Sequence, residues 1–195
     1  MMIRIAILTA LPLIALAQPA AAQDLSTSAY RNTLEFAGCV LAANPADARA
    51  LLASVPASVD EGALVKKLAA TSGCTGKPKE EALRGAIAER VYLATYAAAP
   101  AEPAAGAAPA PFTGSGNAAL ANWDITRCVA TRDPVGADML VRSELGSAAQ
   151  KDAIKRLSPV IGGCVPAGVQ VGFDREKMRG LIAEGLLAVR AGTAN

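Results

Sequence analysis

Apolar residues return at steps of three and four along most of the chain, the spacing that gathers side chains on one face of an α-helix. Tyr30, Leu34, Ala37 and Leu41 do so first and predict a helix over about 29–43, after a short polar lead at 23–28. Asn44-Pro45 then reads as a stop and a start, with Asn44 capping a second helix and Pro45 in its first turn, where a missing N–H costs nothing. That helix, about 45–54, turns Ala48, Leu51 and Leu52 inward, and a third, about 60–72, turns Leu64, Val65 and Leu68. Gly73-Cys74-Thr75-Gly76 ends it, and Pro78 opens a fourth helix in which Leu83, Ala86, Ile87, Val91 and Ala94 form one stripe.

The pattern then starts again. An offset of 89 residues pairs Cys39-Val40 with Cys128-Val129, Asn44-Pro45 with Asp133-Pro134, and Lys66-Lys67-Leu68 with Lys155-Arg156-Leu157. One added residue brings Gly73-Cys74 onto Gly163-Cys164, and five more bring Glu81–Glu89 onto Glu176–Glu184. Helices are therefore expected near 118–132, 134–144, 148–161 and 175–191, with Trp123 at the place of Leu34, Phe173 against the core and Asp174 as a cap. The predicted fold is all-α, a tandem duplication of a small four-helix, disulfide-stapled unit. Its segments are a leader at 1–22, a first repeat at 23–96, a Pro/Ala/Gly-rich linker at 97–118, expected to be extended and mobile, and a second repeat at 119–195.

Both copies close on the motif E-x-[LM]-R-G-x-I-A-E. Glu81 and Glu176 precede their arginines by three residues, a spacing that permits a pair on one helix face. Glu89 and Glu184 lie too far round the helix to share that face and need other partners. Gly85 and Gly180 sit inside a helix, where glycine costs about 1 kcal/mol relative to alanine, so another backbone is expected to cross closely there. Arg84, Glu89, Arg179 and Glu184 are the repeated polar residues. They can serve as anion-binding and acid–base groups or, the favoured reading, as polar edges of a buried stripe whose arginines bond carboxylates or helix-end carbonyls.

The first residues change the picture of location. Arg4, the apolar run 5–17 and Ala20-Ala21-Ala22 have the three parts of a secretory signal peptide, with cleavage expected after Ala22. In an oxidising compartment four cysteines allow three pairings, and spacing alone does not choose among them. A unit that once stood alone would close its own two, which gives Cys39 with Cys74 and Cys128 with Cys164. With a net charge of +2, no nucleic-acid partner is expected, and no membrane-spanning segment is expected in the mature chain. The absence of histidine removes His-ligated zinc and every Ser-His or Cys-His nucleophile. No cofactor, metal site or catalytic residue is assigned.

The paired cysteines, the Asn/Asp-Pro helix start and the R-G-x-I-A-E ending together resemble a group of uncharacterised secreted proteins of alphaproteobacteria. The resemblance spans about 36–94 and 125–189 and implies an all-helical duplicated domain outside the cytoplasm, with no activity to carry over. The expectation for function is a non-enzymatic periplasmic or secreted binding protein whose partner is another protein or an envelope component. The alternatives are an envelope-associated hydrolase using Glu/Asp carboxylates and a purely structural envelope component.

Overall fold

A computed structural model describes residues 20–103, 112–166, 168 and 175–192. Among them are eight α-helices and no strand: α1 (Ala20–Ala43), α2 (Pro45–Ala53), α3 (Val59–Ala69), α4 (Glu80–Thr95), α5 (Ala121–Arg132), α6 (Pro134–Arg142), α7 (Ala148–Gly163) and α8 (Arg175–Arg190). A 3-10 turn, Ala118–Leu120, leads into α5. Residues 1–19 of the expected leader, Phe173 and Asp174 lie outside the described residues, and the expected cleavage point falls in the first turn of α1. That helix begins nine residues earlier than its apolar period predicts, because 23–28 contains neither Pro nor Gly to stop it.

Local chemistry sets most of the helix ends. Ser58 and Ser147 accept hydrogen bonds from the N–H groups of Glu61 and Gln150, capping α3 and α7. Asp133 caps α6 through the Gly136 N–H, but Asn44 makes no such bond, and its side-chain amide donates to Thr71 Oγ1 instead, at 3.0 Å. Pro78 stands before the start of α4 rather than within it. Among the described residues no helix is long and apolar enough to cross a membrane.

Two buried clusters form the core. One gathers Tyr30, Leu34, Phe36, Val40, Leu51, Leu68, Leu83 and Ile87 from α1–α4. The other gathers Ile125, Val129, Leu140, Val141, Leu157, Met178, Ile182 and Leu186 from α5–α8. The two interlock, since Tyr92 of α4 belongs to the second cluster and Leu145, before α7, packs against the first. Disulfides join Cys39 to Cys74 and Cys128 to Cys164, each tying the first helix of a four-helix set to the segment after its third. Together with the absence of a spanning helix among the described residues, the disulfides are compatible with a location outside the cytoplasm.

Both described flanks of the segment expected to be an extended linker make contacts with the helices. The Ala98 carbonyl accepts from Arg190 at 2.9 Å, Glu102 pairs with Arg156 at 3.0 Å, Phe112 packs on the second cluster, and the Ser115 N–H donates to Asp124.

Candidate functional site

The most extensive helix contact among the described elements joins α4 to α8, and its centre is glycine on glycine. A Cβ placed on Gly85 would stand 2.8 Å from the Cα of Gly180, and one on Gly180 would meet Gly85 at the same distance. No side chain fits there, and the approach brings the flanking Arg-Gly and Ile-Ala-Glu segments of both helices within reach of each other.

The arginines use that reach. Arg84 does not pair with Glu81; it crosses to Glu184, with Nη2 at 2.6 Å and Nε at 2.9 Å from Oε1. Arg179 crosses the other way to Glu89, with Nη2 at 2.7 Å and Nε at 2.9 Å from Oε1. Each guanidinium also reaches the C-terminal end of a short helix, where unpaired carbonyls carry the negative end of the helix dipole. Arg84 donates to the carbonyls of Leu52 and Ser54 after α2, and Arg179 to those of Val141 and Ser143 after α6. These carbonyls are related by the same 89-residue offset that aligns the sequence.

Aromatic donors complete the glutamates. Tyr30 Oη donates to Glu89 Oε2 at 3.0 Å, and Trp123 Nε1 donates to Glu184 Oε1 at 3.1 Å. The four charged groups are 1–7% exposed. Burying an ion pair carries a desolvation cost that only good geometry and satisfied hydrogen bonds offset, and this cluster supplies both except at one atom: Glu184 Oε2 is buried without a hydrogen-bond partner.

The two sides also differ in a third ligand to arginine. Glu61 Oε1 lies 3.3 Å from Arg84 Nη1. Its sequence equivalent is the neutral Gln150, which accepts from the Gly146 N–H. Sequence reasoning singled out the arginines, glutamates and glycines but missed Tyr30, Ser54, Glu61 and Ser143. The 89-residue register already matched Ser54 to Ser143, and that match was the available signal.

A second polar cluster backs α6. Tyr92 Oη lies 2.5 Å from Asp138 Oδ1, and Arg142 bonds both oxygens of Asp138 at 2.9 Å. Burial, helped by the Asp138 hydrogen bond, pushes the Tyr92 pKa above its ordinary value. At the start of α6, burial pushes the Asp133 pKa up, but the hydrogen bonds from Arg156 and the Gly136 N–H outweigh that and hold it below its ordinary value. Among the described residues no group of three or more Cys, Asp or Glu side chains could hold a metal ion.

Fold and site define an all-helical, disulfide-bonded protein whose most densely paired charges sit at a helix crossing. Compared with known proteins, the chain matches no family model, no curated protein and no solved structure.

Proposed function

We propose that the chain is a tandem duplication of a four-helix unit and acts as a non-enzymatic binding or interaction protein in the periplasm or outside the cell. The observation that carries this reading is where the repeated polar residues go. Arg84, Glu89, Arg179 and Glu184 bind one another across the α4–α8 crossing, so the motif that distinguishes the sequence has an architectural role. The duplication is further supported by an exchange of residue size between halves. Arg90 of α4 lies over Gly38 of α1, whereas in the second half Gly185 of α8 abuts Thr126 of α5 beside Arg127.

A carboxylate hydrolase needs two acids facing a cleft that admits a sugar. Glu89 and Glu184 are each bonded to a guanidinium and an aromatic donor inside the molecule, which disfavours that alternative. What remains for recognition is the outer surface, including the exposed Val55 and Val59 at the α2–α3 turn.

Photo-crosslinkers placed at Val55 and Val59 in the native host test the reading. Reproducible adducts with one envelope or extracellular component, absent when the probe sits on the buried Leu51, are the expected result. Adducts with cytoplasmic proteins alone, or turnover of envelope glycan by the purified chain, contradict it.

A further inference from the structure

We infer that the Cys39–Cys74 disulfide is a redox-sensitive clasp, which a dithiol opens in the folded protein to free the segment 70–79 between α3 and α4, while Cys128–Cys164 stays closed. The inference goes beyond the binding-protein reading and does not rest on it. The two bonds serve as controls for each other. Each ties the first helix of a four-helix set to the segment after its third, with sequence separations of 35 and 36. Loop closure therefore constrains both to nearly the same degree, and what separates them is the setting of the sulfurs.

The second disulfide is built into the core. Cys128 is 7% exposed and Cys164 0%, and both belong to the buried cluster of α5–α8. Because α7 runs up to Gly163, the Cys164 N–H is bonded to the carbonyls of Val160 and Ile161. Arg132, at the end of α5, donates to the Gly163 carbonyl at 2.7 Å, a further tie beside Cys164.

The first disulfide has a different setting. Helix α3 ends at Ala69, well short of Cys74, and Ala43 stands at the place of Arg132. Cys39 and Cys74 are only half-buried, and Cys39 Sγ lies at the surface, 4.0 Å from the Gly73 carbonyl oxygen. Gly73 and Gly76 have φ of 85° and 103°, and nothing stands within 4 Å of the absent Cβ of either, so the chain around Cys74 borders open space. Two neutral hydrogen bonds also hold the segment: the Asn44 amide donates to Thr71 Oγ1 at 3.0 Å, and the Lys79 N–H to Thr33 Oγ1 at 3.2 Å.

Thiol–disulfide exchange depends on access to a sulfur, and exposed disulfides are the labile ones. One thiolate of the dithiol attacks a sulfur of the Cys39–Cys74 pair, and the other cysteine leaves as a thiolate and takes a proton. The second thiol of the dithiol then resolves the mixed disulfide. Two electrons and two protons pass from the dithiol, which ends as a disulfide, to Cys39 and Cys74, which end as thiols. Helix α4 keeps its place through Leu83, Ile87 and the ion pairs at the crossing, none of which uses a sulfur, so the opening is local.

Treating the purified full chain with dithiothreitol in the absence of denaturant, quenching with N-ethylmaleimide and mapping the labelled peptides by mass spectrometry tests the clasp. Cys39 and Cys74 are expected to be labelled about tenfold or more faster than Cys128 and Cys164. Circular dichroism should keep its helical signal, while trypsin cuts faster after Lys79. The double variant Cys39→Ser, Cys74→Ser should stay helical and show the same cleavage with no reductant. Equal labelling rates, earlier opening of Cys128–Cys164, or no labelling until urea is added overturns the inference. Loss of helicity in the reduced chain, or cleavage after Lys79 that is no faster, does so too.

Discussion

Gly85 and Gly180 show how one missing carbon can organise a molecule. Because a Cβ on Gly85 would meet backbone rather than a movable side chain, Gly85→Ala should destabilise the fold by about 1–3 kcal/mol in urea unfolding, despite alanine's better helix propensity. Gly62 is the control: it lies inside α3 with nothing within 4 Å of its absent Cβ, and Gly62→Ala should raise stability by up to about 1 kcal/mol. Arg84→Ala would strand Glu184 in the interior, and loss of one partner of a buried pair costs about 3–5 kcal/mol, readable in the same experiment. Asp133 gives a pH signature. A carboxylate whose pKa is lower in the folded than in the unfolded chain stabilises the fold above the unfolded value and loses that contribution as pH falls through the folded one. Asp133→Asn should therefore flatten the acid limb of the stability profile below about pH 4, where the parent chain declines. The glycines were legible in sequence because a helix-interior glycine repeated in both copies needs a packing reason. The partners of the arginines were not, since i to i+3 spacing offered Glu81, while the actual carboxylate lies 100 residues away.

At the scale of elements, helix existence followed the apolar period closely, and the ends followed capping chemistry less faithfully. Asp133 and Asn44 occupy equivalent places, yet only the carboxylate caps, because Thr71 captures the Asn44 amide. The α2–α3 and α6–α7 turns make a sharper comparison. Ala57 has φ of 61° and its equivalent Gly146 has φ of 80°, so both turns need the left-handed region that only glycine enters without strain. Ala57→Gly should raise the unfolding free energy by up to about 1 kcal/mol, measurable as a higher urea midpoint at unchanged slope. The disulfides act at this scale as well. Loops of 35 and 36 residues each contribute about 4 kcal/mol in the chain-entropy model, a large share of the stability of a small domain.

In the whole molecule, helices α1–α4 and α5–α8 are joined by the crossing of α4 and α8, and the Arg-Gly and Ile-Ala-Glu residues of the recurring motif make the joint. The second core admits Tyr92 from the first half, the first core packs against Leu145 from the second, and two reciprocal ion pairs lie between. The recurring apolar and motif pattern was readable from the sequence, but the residues that interlock the two cores, Tyr92 and Leu145, were not, because contacts between segments so far apart leave no local spacing to read. The most direct test is to place a protease site within 104–111, cut the purified chain, and follow the fragments by size exclusion without denaturant. The halves are predicted to elute together as a one-to-one pair, and Gly85→Ala to weaken that association. Separate elution of two fragments, each still helical with its own disulfide intact, would contradict the claim that the repeated motif is the joint.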